Sequence, residues 1–237
     1  VPRDPRSLGT DAWTQITVAG KPVPLLHRPP AQAQASGTAL IVSHRSDGPA
    51  SAARAASLRT GLARHGFHTY LLALTPLASQ AMALLDDAAR EAEEKLLAAR
   101  VKAAAEFVTG QHAGEAASGT QFANLLISEG ASGRWLRQWD GAGLDALVFV
   151  DVPPPPRRAD NWLLAAALPS LVVQTDPYRW SPEQPLSAGT ELHLLPRQAL
   201  RPPAGIGSRA RPREDLVLRT VRGWVQRLFA PDARSRS

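Results

Sequence analysis

Five residues, Ser128-Glu129-Gly130-Ala131-Ser132, stand between the apolar run Leu125-Leu126-Ile127 and a stretch of helical character. Small residues in that place form a sharp strand-to-helix turn. Such a turn lifts a nucleophile to its apex for attack on an ester or amide carbonyl. The apex is the middle of the five, and it holds Gly130. Glycine has no side chain and attacks nothing. Ser128 and Ser132 lie two residues to either side and read as structural. Ser128 is expected to bond backbone near the turn, and Ser132 to supply the small residue that helix–strand packing needs. Glu129 is a carboxylate near a helix N-terminus, where the dipole favours negative charge, and it is also a candidate acid at the bend.

Acyl transfer of this kind needs an acid, a base and an oxyanion turn beside the nucleophile. Asp176 follows the run Leu171-Val172-Val173-Gln174-Thr175, where an orienting acid belongs, although Asp176-Pro177 is equally a turn signal. The last histidine, His193, falls inside the strand-like run Glu191 to Leu195 rather than beyond it. Beyond it stand Arg197, Gln198 and Arg201, none of them a general base near neutral pH. His44 closes the run Thr38 to Ser43, but Arg45 occupies the next position, where glycine would give an oxyanion turn its backbone freedom. Nucleophile, base and oxyanion turn are all altered. Because a triad acts as a unit, ordinary Ser-His-Asp hydrolysis is not expected.

The elements that would position these residues follow from hydrophobic patterning. Trp13 to Val18 and Val23 to His27 flank the turn Ala19-Gly20-Lys21-Pro22, a hairpin signal. Thr38 to Ser43 is continuously apolar, as for a strand covered on both faces. Ser51 to His65 reads as a helix closed by Gly66, and Phe67 to Leu74 as the next strand. Ser79 to Val108 reads as one long helix with Met82, Leu85, Ala89, Ala92, Leu96 and Ala99 as its apolar stripe. Thr109 to Thr120 reads as a loop, and Gln121 to Ser128, Leu144 to Val152, Leu171 to Thr175 and Glu191 to Leu195 as further strands. Ser132 to Trp139 and Asp160 to Leu168 read as short helices, and Arg213 to Phe229 as a closing amphipathic one. Alternating strands and helices predict an α/β fold with a mostly parallel sheet, helices on both faces and an antiparallel N-terminal hairpin at one edge. A single domain over residues 1–229 and a disordered Arg-rich tail over 230–237 are expected.

Composition narrows the chemistry. The chain has 237 residues and no cysteine, which excludes disulfides, thiol catalysis and Cys-ligated metals. The six histidines, His27, His44, His65, His68, His112 and His193, show no ligand-like spacing. His65 and His68 bracket the helix end at Gly66 and are not expected to share a face. The Gly110 to Gly119 stretch lacks the lysine of a phosphate-binding loop. No metal or cofactor is therefore expected. The net charge is +6. Ten arginines against three carboxylates from Arg197 onward make that segment +7 and leave the rest at −1. The basic cluster Arg209, Arg211 and Arg213 is a candidate contact for an acidic partner, whereas nucleic acid is not expected because few aromatics interleave with it. The apolar stretch Trp162 to Val173 is too short to span a bilayer. The start at Val1 and the absence of cysteine point to an extracytoplasmic, periplasmic location.

The order of these motifs resembles an uncharacterised bacterial family of α/β-hydrolase-like proteins, domain-of-unknown-function family 3530. The resemblance is carried by Thr38-Ala-Leu-Ile-Val-Ser43, Gly66-Phe67, the long Ala/Glu-rich helix, Ser128-Glu129-Gly130-Ala131, Leu168-Pro169 before the strand ending at Asp176, and Val221-Arg222-Gly223-Trp224. It implies a hydrolase-like fold and carries no assigned reaction. The sequence thus predicts a non-catalytic hydrolase-fold protein that binds a protein partner or small anionic ligand at the strand C-terminal edge, lined by His44, Arg45, Glu129, Gly130 and Asp176. The alternative is a degenerate hydrolase of esters or amides working through Ser128 or Ser132.

Overall fold

Strand β1 (Ala12–Val18) turns into β2 (Lys21–Arg28) through Ala19 and Gly20, with φ of +50° and +73°. Two consecutive left-handed residues make the tight turn whose twist matches antiparallel strands. In the computed structural model of the chain, residues 11–44, 48–74, 85–116, 122–130, 132–133, 143–152, 168–175, 189–195 and 216–229 are described. The remaining elements are β3 (Gly37–His44), α1 (Gly48–Arg64), β4 (Phe67–Leu74), α2 (Asp87–Gln111), α3 (Ala113–Ala116), β5 (Ala123–Glu129), β6 (Ala146–Val150), β7 (Ser170–Gln174), β8 (Thr190–Leu194) and α4 (Leu216–Leu228).

The eight strands form one sheet in the order β1-β2-β4-β3-β5-β6-β7-β8. The hairpin joins β4 antiparallel, over only three register pairs from Leu26↔Leu71 to Arg28↔Thr69, and β3 onward is parallel throughout. The chain steps from β3 to β4 on one side and returns to β5 on the other. That reversal opens a crevice outside the C-terminal ends of β3 and β5, where open α/β sheets bind their ligands.

Every residue of β3 is buried, as its apolar run predicts. Leu40 and Val42 point into one core with Leu97, Val101, Ala104, Ala105 and Val108 of α2. Ala39 and Ile41 point into the other, with Leu58 and Leu62 of α1 and Val217, Val221 and Trp224 of α4. Helices therefore cover both faces. Helices α1 and α4 approach closely at Gly61, where a Cβ would run into the Leu218 side chain.

The long helix departs from expectation in length and in face. It begins at Asp86, whose side chain accepts a hydrogen bond from the Ala89 N–H at 2.7 Å, and it runs to Gln111. Ala92 and Ala99, expected to face inward, are exposed. Alanine suits either face of a helix, so the branched side chains Leu97, Val101 and Val108 decide which face is buried. The expected loop after Val108 is helix to Gln111 followed by the short α3. Residues 134–139 and 160–167, read as helical from sequence, lie outside the described residues, as do 196–215 and 230–237. Among the described residues, no helix is long and apolar enough to cross a membrane.

Candidate active site at the end of β5

Strand β5 delivers Ser128 and Glu129 to the C-terminal edge of the sheet, and Gly130 follows with φ +59°. A left-handed residue immediately after a strand makes the abrupt bend that the small-residue pattern predicts, and glycine adopts it without a Cβ penalty. Val42 pairs with Ser128 across the β3–β5 ladder, so His44, two residues on, closes β3 beside Gly130. His44 is buried.

The two flanking serines are structural. Both are fully buried, with their Oγ atoms 2.7 Å apart. Ser132 Oγ also lies 2.7 Å from the Glu129 carbonyl and 3.1 Å from the Val42 carbonyl of β3. A hydroxyl has one proton to give. Ser132 donates it to one of these carbonyls while Ser128 donates to Ser132, and the pair ties the bend to the neighbouring strand.

The charged groups at this edge are Glu129, Asp151 and Arg54. Glu129 is fully buried, and its Oε1 accepts from Arg54 Nε at 2.7 Å. Arg54 projects from α1 and also pairs through Nη2 with Asp151 Oδ2 at 3.0 Å. Burial pushes Glu129 up to about 7, against the pull of Arg54. Ser51 stands near enough to favour the charged carboxylate, although neither Ser51 Oγ nor Glu129 Oε2 reaches hydrogen-bond geometry. Among the described residues, Oε2 has no hydrogen-bond donor.

Asp151 follows β6 with φ +51°, a conformation that Asp tolerates better than most residues and that still costs about 1–3 kcal/mol. It is fixed there by accepting from Thr175 N–H and Thr175 Oγ, each at 2.6 Å, at the end of β7. Ends of β5, β6 and β7 and one turn of α1 thus converge on a single charged cluster.

Of the residues singled out from sequence, His44 ends β3 next to Ser128, Glu129 and Gly130 at the end of β5, with Ser132 bonded to Ser128; the alternation of β3 and β5 puts the His44 and Glu129 side chains on opposite faces of the sheet. Arg45, Asp176, Arg209, Arg211 and Arg213 lie outside the described residues. Asp151, Thr175 and Arg54 were not foreseen. Asp151 carried the same signal as Asp176, an apolar run (Val148-Phe149-Val150) ending in a carboxylate. Arg54 carried none, since a cation on an amphipathic helix is ordinary. His193 stays within β8, 3.4 Å from Glu191, as expected of a strand residue. Although the six histidines show no ligand-like spacing in sequence, His27, His68 and His112 meet near the opposite edge of the sheet. Their spacing in sequence concealed this because β2, β4 and α2 each supply one.

The sequence matches no family model, and no curated protein is significantly similar to it. Solved structures do match in fold. An esterase domain from a Rhodothermus marinus protein superposes with a TM-score of 0.61 at 11% identity, covering 92% of this chain and 99% of that one. An α/β serine hydrolase homologue from Coxiella burnetii gives 0.56 at 16% identity over 79% and 88% of the two chains. A lipase/esterase from Lactobacillus plantarum gives 0.53 at 13% identity over 94% and 100%. The fold is therefore α/β-hydrolase-like. These esterase neighbours overturn the expectation of a non-catalytic binding or assembly subunit. They fit better the alternative, a degenerate hydrolase of esters or amides with a relocated nucleophile such as Ser128 or Ser132.

Proposed function

We propose that this chain is an ester- or amide-cleaving hydrolase that works at the β5 bend through Glu129, with Arg54 and Asp151, in place of the missing serine and histidine. The observation that carries the reading is the buried Glu129 carboxylate, one oxygen held by Arg54 and the other without a hydrogen bond among the described residues, beside the left-handed Gly130. The likeness of fold to esterases supports the reaction class. The motif order supports membership of domain-of-unknown-function family 3530.

Glu129 Oε2 takes a proton from water, and the water oxygen attacks the substrate carbonyl carbon. The carbonyl oxygen becomes an oxyanion and is stabilised by the Arg54 guanidinium. The tetrahedral adduct collapses with cleavage of the bond to the alkoxy or amino group, which leaves with the proton from Glu129. A base with pKa near 7 suits this task, because it is substantially deprotonated at neutral pH and still a competent acceptor. Arg54 is about a quarter exposed and forms the outer cover of the carboxylate. Movement of its guanidinium onto the substrate carbonyl oxygen is what admits water to Oε2. Ser128 and Ser132 hold the bend and do not attack.

The test is turnover of a short-chain aryl ester and amide panel by wild type, Glu129→Gln, Ser128→Ala and Ser132→Ala. A proton-transfer base contributes about 100- to 10,000-fold, so Glu129→Gln is expected to lose that much in kcat, with the profile in wild type rising through pH 7. Full loss in a serine variant with activity kept in Glu129→Gln would return the reaction to a relocated serine. No turnover in wild type on any substrate would refute the assignment.

A further inference from the structure

Near the other end of the parallel strands, three imidazoles come together from separate elements. His68 lies next to the start of β4, His27 lies near the end of β2, and His112 caps the C-terminus of α2. One ring nitrogen from each lies within 4.8 Å of the other two. His27 Nε2 is 3.2 Å from His68 Nδ1, and the His68 and His112 rings stack with centroids 3.8 Å apart. His112 is buried and the other two are half-buried. Thr38 pairs with His68 across the sheet, and His44 lies six residues further along β3. The cluster is thus about 20 Å from the β5 bend, at 3.3 Å per strand residue.

Glu115 decides which nitrogens carry lone pairs. Its two oxygens face His112 Nδ1 at 2.9 Å and His68 Nε2 at 3.4 Å. A carboxylate only accepts, so both of those ring nitrogens carry the proton. His112 Nε2 and His68 Nδ1 are left as acceptors. The Tyr70 hydroxyl, 2.9 Å away, donates to His112 Nε2. An imidazole with one nitrogen anchored to a carboxylate, as in His68 and His112, has its other nitrogen oriented as a metal ligand.

We propose that His27, His68 and His112 form a three-histidine site for a divalent transition metal, Zn²⁺ foremost, with Glu115 as the carboxylate that positions His68 and His112. Three nitrogens on a tetrahedral Zn²⁺ with bonds of about 2.0–2.1 Å stand about 3.3 Å apart. Reaching that from 4.8 Å takes rotation of side chains on a fixed backbone. Imidazole-only donors suit Zn²⁺ and exclude the hard ions Mg²⁺ and Ca²⁺, which take oxygen ligands. Water or the Tyr70 oxygen, already against His112, completes the fourth position. The site joins β2, β4 and the end of α2, so the metal acts as a clamp on the fold.

The test is zinc titration of the metal-free full chain by calorimetry, with Co²⁺ absorption to report tetrahedral geometry and a thermal melt with and without Zn²⁺. One Zn²⁺ per chain, a tetrahedral cobalt spectrum and a raised melting temperature are expected. Glu115→Gln should weaken binding by about 10- to 100-fold, the usual cost of losing an outer carboxylate. His112→Gln and His27→Asn should weaken it further. His27 is only half-buried, so its variant remains informative if the His112 variant fails to fold. Absence of stoichiometric binding by wild type, or affinity unchanged in folded His27→Asn, would overturn the proposal.

Discussion

The two ends of the sheet hold polar clusters built in opposite ways. At the β5 end, Glu129, Asp151 and Thr175 sit on the last residues of strands or just past them, and two backbone positions, Gly130 and Asp151, are left-handed. At the far end, His27, His68 and Tyr70 are held within regular strands, and β2 places His27 directly opposite Tyr70, their rings stacked at 4.4 Å. The first cluster is ionic and sits on strained backbone. The second is aromatic and sits on relaxed backbone. Strain and buried charge are the marks of a site that reacts, while rigid, neutral donors are the marks of a site that binds.

That contrast can be broken most forcefully at Glu129, whose conversion to glutamine removes the base and should collapse turnover while leaving zinc binding intact. Next in size is Arg54→Met. It strands the Glu129 carboxylate in the core, and losing one partner of a buried ion pair costs up to about 3–5 kcal/mol. Because Arg54 is partly solvated and Glu129 can protonate, about 2 kcal/mol at pH 8 is expected, shrinking at pH 5. The sign follows from Glu129 itself. Its folded pKa of about 7 lies above the ordinary 4.5. Its contribution to stability is therefore complete below about pH 4.5 and is lost as pH rises through 7. Denaturant melts at the two pH values check this, and an equal cost at both would show that Glu129 is not the group involved. The smallest effect is Tyr70→Phe, which removes the hydroxyl facing His112 and should cost about 1 kcal/mol without touching ester turnover. A drop in turnover there would erase the separation between the two ends.

How far the sequence revealed these features depended on whether one segment contained them. The β3 run, the hairpin turn and the bend at Gly130 are each encoded within about eight consecutive residues, and all three formed as expected. The inward face of α2 was misread because alanine populates both sides of that helix, leaving Leu97, Val101 and Val108 to choose. The Glu129–Arg54–Asp151 cluster joins positions from three elements, and His27, His68 and His112 join three others. No local pattern marks such meetings, since they are produced by strand order. The glycine at the apex of the bend was legible at once, but the carboxylate beside it could be weighed only when its burial was known.

The short seam between β2 and β4 bears on how the molecule opens. Three register pairs hold the hairpin to the sheet, where β3 and β4 share eight. Cooperative units of a protein detach in order of how little holds them, so the hairpin is the first piece to peel away. Several fastenings oppose this, among them the packing of Ile16, Val18, Val23 and Leu25 in the core and the Arg28 bond to Thr60 of α1. Asp11 accepts from Arg28 at 2.6 Å and from Arg59 of α1 at 2.7 Å, and His27 lies in the histidine cluster. Amide exchange in β1 and β2 would thus report the population of a half-open state, and a metal held by His27 would close it.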